Sequence, residues 1–265
     1  MATRKQTKSS LPPTLSLDCL GSAEEVAGLP GPGQWLVLSY IPTSLFSLKM
    51  SAATSTVGKT LLVPTPYAFK MALLDASLRH GFPRNPEELV PLLARAALRI
   101  GVPSAAVVTH TIVKVRQEPK DRKSGAPYIP AVAYREFVYY SGDLSFAFDL
   151  STLDVSTASW IASVAPAVQY IGKRGGFLQY SHSLRLEQLS KRFTASVVSL
   201  AGELPRRVHL AWLDDFGPEA VFEALNSYSA AKIKREKHRG FVETVIPLGL
   251  VNTGPGFAHY QADPD

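Results

Sequence analysis

The residues whose types and spacing could do chemistry fall into basic clusters. Between Lys114 and Arg135 six cations (Lys114, Arg116, Lys120, Arg122, Lys123 and Arg135) stand against two acids, Glu118 and Asp121, with Tyr128, Tyr134 and Phe137 among or beside them. Aromatic faces that stack on unpaired bases, beside cations that track phosphates, are the chemistry of a single-stranded nucleic-acid surface. A solvated charged hairpin is the structural alternative. The second cluster is Ile171-Gly172-Lys173-Arg174-Gly175-Gly176-Phe177. Its glycines supply the positive φ that stops a helix. They also let exposed N–H groups work together with Lys173 and Arg174 on a phosphate. A third run, Lys232, Lys234, Arg235, Lys237, His238 and Arg239, reads as a solvated face or as a contact to an RNA backbone or an acidic neighbour. Lys49, Lys59 and Lys70 are isolated cations whose meaning depends on context.

Acid–base chemistry at a ribose 2′-OH needs a base and an acid in mutual reach. His110 and His182 lie on predicted strands, and Tyr67 or Lys114 could assist, but spacing fixes no distance between them. A strand histidine is more often structural. No Walker loop, Gly-x-Ser-x-Gly elbow or His-Glu-x-x-His motif occurs. Asp214-Asp215 reads as a cap of a helix starting near Pro218, or as part of the connecting turn, rather than as a magnesium site. The single Cys19 excludes an internal disulfide, and the six histidines show no i, i+3 or i, i+4 pair, so neither a metal nor a cofactor is expected.

The elements that must position these groups belong to a folded chain of 265 residues, 46% hydrophobic and 19% charged, with a formal net charge of +6. That balance is too apolar for disorder throughout, and its excess of cations attracts phosphates, anionic lipids or acidic partners. No apolar run approaches the ~20 residues of a membrane span, and Met1 to Ser10 is polar, so a cytoplasmic protein away from membranes is expected.

Residues 1–33 read as a loosely packed entry segment. A strand is expected over Gln34 to Tyr40, continuing beyond Pro42 through Ser44 to Val57. Pro64-Thr65-Pro66 opens a helix over Tyr67 to Arg79, and a second helix runs from Pro86 to Arg99 with Glu87 and Glu88 in its first turn. Long strands are expected at Val107 to Val115 and Ala133 to Phe148, joined by a protruding connector of about residues 116–132. A helix over Ser156 to Tyr170, with Pro166 in its last turn, and a strand over Phe177 to His182 follow. This order is the split β-α-β pattern. The fold class is therefore α+β: a ferredoxin-like, RRM-like domain over residues 34–190 with a protruding thumb-like hairpin, and a smaller β-rich portion over 191–265. The latter has strand-like segments at Phe193 to Leu200, Val208 to Trp212 and Val242 to Leu250, and a helix at Pro218 to Ser227.

In their order these features resemble the RAMP-type CRISPR-associated subunit that caps the crRNA 5′ handle in type I Cascade complexes. Leu36 to Thr56 is similar to that family's opening strand and loop, and Pro64-Thr65-Pro66-Tyr67-Ala68-Phe69-Lys70-Met71-Ala72-Leu73-Leu74 to its proline-rich helix entry. Tyr134-Arg135-Glu136-Phe137 to Phe148 resembles the strand after the variable thumb. Gly172-Lys173-Arg174-Gly175-Gly176-Phe177 resembles the glycine-rich turn, and Val245-Ile246-Pro247-Leu248 the closing strand. The resemblance implies a noncatalytic, RNA-binding cap whose partners are the crRNA 5′ handle and the backbone and large effector subunits, with target DNA met indirectly through the complex. By position it implies handle contacts at Lys49, Lys59, Lys70, Lys173 and Arg174, with Gly175 and Gly176 in the turn. It also implies Lys114, Arg116, Arg122, Lys123 and Tyr128 on or near the thumb, with Arg135 at its edge. One branch of the family resembles a metal-independent endoribonuclease that processes precursor crRNA, and a scaffold without RNA contact is a further alternative.

Overall fold

The computed structural model describes residues 34–49, 57–117, 119, 125, 128–172, 175–199 and 205–263. The entry segment 1–33, and the expected contacts Arg122, Lys123, Lys173 and Arg174, lie outside the described residues.

Strand β1 (Trp35–Pro42) has five consecutive buried residues, Leu36 to Tyr40. A strand buried on both faces belongs in the middle of a covered sheet. β1 indeed runs between β6 (Leu144–Asp149) and β7 (Leu178–Leu186), and β3 (Leu98–Gly101) adds outside β6, giving the order β3-β6-β1-β7. All three pairings are antiparallel. Helix α1 (Pro66–His80) connects β1 towards β3, and α3 (Val155–Val164) connects β6 to β7, completing the split β-α-β pattern. Phe69 of α1 stacks on Phe146 of β6 at a centroid distance of 3.7 Å, and Tyr40 meets both rings edge-on while donating its hydroxyl hydrogen to Ala165 O at 2.9 Å.

Local signals account for several boundaries. The Thr65 hydroxyl accepts from Ala68 N, Pro66 occupies the first turn of α1, and Gly81 ends it at φ 68°. Helix α2 (Pro86–Arg95) stops short of the expected Arg99, because Leu98 to Gly101 are drawn into the ladder with β6. Arg99 is a strand residue lying over the Trp35 ring at 5.2 Å. The expected continuation from Ser44 to Val57 is also reduced: among its described residues it makes isolated bridges at Phe46 and Lys49 before the two-residue β2 (Val57–Gly58). Pro166 terminates the expected Ser156-to-Tyr170 helix early, in a 3-10 turn at Ala165–Ala167.

The expected strand Ala133 to Phe148 is two strands. Gly142, at φ +105°, turns the chain between β5 (Ile129–Ser141) and β6. β5 pairs residue for residue with β4 (Ala105–Gln117), from Ala105↔Ser141 to Gln117↔Ile129. The strands thus claim the edges of the expected connector, and the hairpin is inserted between β3 and β6.

The C-terminal portion holds β8 (Ala195–Ser196), β9 (His209–Phe216), the four-residue α4 (Phe222–Leu225), β10 (Arg239–Ile246), β11 (Gly249–Gly254) and β12 (Phe257–Gln261). The expected strand at Phe193 to Leu200 and the expected helix at Pro218 to Ser227 are each much shorter. β12, not anticipated, pairs with β4 and joins the five-stranded sheet β11-β12-β4-β5-β2. Leu213, Phe216, Ile246 and Leu248 belong to the same apolar cluster as Leu38, Phe69 and Phe146. No helix among the described residues is long and apolar enough to cross a membrane.

Asp154 caps α3: its carboxylate accepts from the Ser156 and Thr157 hydroxyls and from Thr157 N, and these bonds hold its pKa down at about 2. A carboxylate depressed by folding stabilises above its ordinary pKa, and the contribution is lost as pH falls from about 4 towards 2. Asp154→Ala is expected to cost about 1 kcal/mol at neutral pH. In urea titrations the gap between variant and wild type should close across that acid range.

Candidate nucleic-acid interface

The glycine turn is clamped onto the stretch after β1. Tyr170 bridges Phe177, and Ile171 N donates to Gly176 O at 3.1 Å. The Ser44 hydroxyl receives the Phe177 N–H and donates to Gly175 O, each at 2.6 Å. A Cβ at Gly172 would stand 3.0 Å from Leu48, and one at Gly176 3.0 Å from both the Phe46 ring and Ile171 O. These two glycines therefore permit close docking. Gly175 differs: it holds φ +123°, and a Cβ there would meet nothing within 4 Å. The space on the Cβ side of Gly175 is therefore open, leaving room for a group to come close to the turn.

Two clefts flank the turn. The smaller, of about 240 Å³, runs between Leu45 to Leu48, the glycines, and Val113, Arg135 and Phe137 at the hairpin's base. Arg135 extends across Gly58, where its Nη1 would be 2.6 Å from a Cβ, so the guanidinium lies close over that backbone. The larger, of about 480 Å³, lies over α1 and is lined by Lys49, Tyr67, Asp75, Tyr170, Gly172, Asp214 and Arg239 among others. The fold thus gathers Lys49, Arg135, Gly175 and Gly176 around one surface. Lys59 is exposed, two positions after the start of β2, next to the glycine that Arg135 crosses. Lys114, Arg116 and Tyr128 are exposed further out along the hairpin, where Ile112, Val132 and Tyr134 also stand more than half exposed.

Lys70 is the correction among the expected contacts. Its side chain is 0% exposed, its ammonium lies 2.8 Å from Asp215 Oδ1, and it donates to Ala96 O at 2.8 Å. A phosphate cannot reach it. Burial lowers the Lys70 pKa and raises that of Asp215, while each charge opposes the other's shift. Asp214 and Asp215 consequently neither cap a helix nor fill a loop: they lie at the end of β9 and serve two cations, Lys70 with Asp215 and Arg239 with Asp214. The Arg239 guanidinium also lies 4.1 Å over the Tyr67 ring. Burial, reinforced by Asp214 and opposed by Arg239, raises the Tyr67 pKa and keeps the phenol protonated.

The third basic run divides. Lys237 pairs with Glu219 at 3.0 Å, His238 Nδ1 accepts from Lys234 N, and Arg239 turns inward, whereas Lys232, Lys234 and Arg235 are exposed. The Arg239–Tyr67–Asp214 group went unseen in the sequence, because Arg239 ends a run that looks solvated and its partners are distant along the chain. His110 lies 3.6 Å from Glu136 on β4 of the five-stranded sheet, and His182 is exposed on β7 of the four-stranded one. None of the six histidines lines either cleft.

No protein-family model matches the chain. A curated relative, CRISPR-associated protein Cas5 from Archaeoglobus fulgidus, is 19% identical over 200 residues, covering 74% of this chain and 86% of that protein. Among solved structures, a CRISPR protein from Archaeoglobus fulgidus gives a TM-score of 0.42 at 11% identity, covering 87% of this chain and 92% of that one. A Cas6 product complex gives 0.30 at 16% identity over 61% of this chain and 56% of that one. The four-stranded antiparallel sheet, in the order β3-β6-β1-β7, and its connecting helices define the class as an α+β protein of ferredoxin-like fold with an inserted hairpin. In sequence the chain is similar, at 19% identity, to the CRISPR-associated protein Cas5 of Archaeoglobus fulgidus.

The buried ion pair gives a stability prediction. Lys70→Met strands the Asp215 carboxylate, which is only 23% exposed, and is expected to cost about 3 kcal/mol. Guanidinium midpoints should show the loss, and Lys70→Met/Asp215→Leu should recover most of it. In the single variant the deficit should narrow on acidification, because protonating Asp215 removes the stranded charge.

Proposed function

We propose that the chain is a noncatalytic RNA-binding subunit of a type I CRISPR surveillance complex, holding the 5′ handle of the crRNA. The observation that carries this reading is the clamped glycine turn: an approachable backbone at Gly175 stands between two clefts, with Lys49 lining one and Arg135 the other. Main-chain N–H groups and flanking cations are the pairing that positions a sugar–phosphate backbone. Lys173 and Arg174, which fall between Gly172 and Gly175 in sequence, add charge to the same turn, and Lys59 extends it past β2. Lys114, Arg116 and Tyr128, with Arg122 and Lys123 between them in sequence, carry the RNA outward along the hairpin towards the first guide segment.

In this reading the backbone and large effector subunits pack alongside, and target DNA meets the protein only through the complex. Cleavage of precursor RNA is disfavoured because none of the six histidines lines either cleft. Incubating the protein with repeat RNA and a chelator tests this: site-specific products lost on His110→Ala or His182→Ala would overturn the noncatalytic assignment.

Binding of handle-bearing RNA is tested by anisotropy across a salt series. Lys49→Ala/Arg135→Ala should weaken binding about equally for all sequences. It should also flatten the log K against log salt slope by about 0.7 per lost phosphate contact. Lys173→Ala/Arg174→Ala should do the same. Unchanged affinity and slope in both variants, with unchanged thermal melting, would sink the site.

A further inference from the structure

We infer that the larger cleft receives one unpaired nucleobase carrying an exocyclic amino group, read by the Asp75 carboxylate over a floor formed by Ala68, Met71 and Ala72. The inference rests on the RNA-binding reading above and adds the base chemistry that the site selects.

The floor comes from helix geometry. Ala68, Met71, Ala72 and Asp75 are spaced i, i+3, i+4 and i+7 along α1 and so share one side of it. Two alanines and an unbranched methionine make that side low and apolar, which suits the flat face of a ring. Ala68 and Met71 are only partly buried, packed against the core from outside. The space above them, about 480 Å³, falls within the roughly 300–1,000 Å³ typical of small-ligand sites. It accommodates a nucleotide and excludes a duplex.

The rim is polar and unsymmetrical. Tyr67 lies towards one end with the Arg239 guanidinium over its ring. Further along α1, Asp75 accepts from the Tyr170 hydroxyl at 2.9 Å and from Arg79 Nε at 2.8 Å. Both bonds fall on Oδ2, and among the described residues Oδ1 accepts none. The carboxylate lines the cleft and remains 39% exposed, so it offers an acceptor to a ligand and no donor. Cytosine, adenine and guanine each present an amino group to such an acceptor. Uracil presents two carbonyl oxygens on either side of its single N3–H, and they would face a negative charge. Lys49 and Gly172 stand on the same rim where the cleft meets the glycine turn. A nucleotide whose phosphate rests on the turn would therefore lower its base towards α1.

The test compares labelled rC8 and rU8, which share ring size and differ at the amino edge, by anisotropy with the full chain at fixed salt. Wild type is expected to bind rC8 about tenfold more tightly than rU8, as a hydrogen bond to a charged acceptor allows. Asp75→Asn, whose amide both donates and accepts, should reduce that ratio below about threefold. Arg79→Gln removes the same ion pair but keeps the carboxylate, so it should retain the preference and separate base reading from a structural role. Salt-dependent binding without preference between the oligomers, or a preference unchanged in Asp75→Asn, overturns the base pocket and leaves RNA binding standing. A failure of wild type to bind either oligomer, or handle-bearing RNA, overturns the RNA-binding reading and this inference with it.

Discussion

The ammonium of Lys70 and the carboxylate of Asp215 meet where α1, the end of α2 and β9 converge, and the geometry of the candidate interface depends on that meeting. Desolvation makes each charge costly alone, so neither element can shift without stranding the other. The ammonium also takes the Ala96 carbonyl just beyond α2, which fixes the depth at which α1 lies. One residue earlier, Asp214 holds Arg239 over Tyr67, three positions before Lys70 on the same helix. Two successive aspartates thus set both the rear of α1 and the wall of the cleft above it.

The other side of that cleft is held by packing at glycine positions. Gly172 and Gly176 are glycines because Leu48 and Phe46 stand where a Cβ would be, whereas Gly175 is glycine because of its backbone conformation. The same short turn therefore contains a docked part and an open part. Ser44 joins them, with one hydroxyl engaging Gly175 O and Phe177 N. Rigid support beside an accessible backbone is what a positioning contact to a phosphate needs.

Much of this was legible from local signals. Pro64-Thr65-Pro66 and Gly81 delimit α1 because proline geometry, an oxygen cap and a left-handed stop act within a few residues. The strand-formers on either side of the 116–132 connector gave the hairpin, and the split β-α-β order gave the sheet. What escaped depends on distant partners. Lys70 looks like any helix lysine until Asp215, 145 residues away, arrives beside it. Arg99 looked helical until β6 recruited it, and β12 carries too few strand-formers to be recognised without β4 as its template. Asp214-Asp215 was misread for the same reason, since two adjacent carboxylates with no visible cation resemble a cap or a turn.

The β4–β5 hairpin is inserted between two sheet strands whose own register is set by β1 and β6, so the length of the one is decoupled from the order of the other. Because strand faces alternate with a period of two, adding or removing two residues in each arm changes its reach by about 7 Å and returns every outward side chain to its original side. The hairpin is in that sense an adjustable ruler. Its length can therefore change without disturbing the residues at its base.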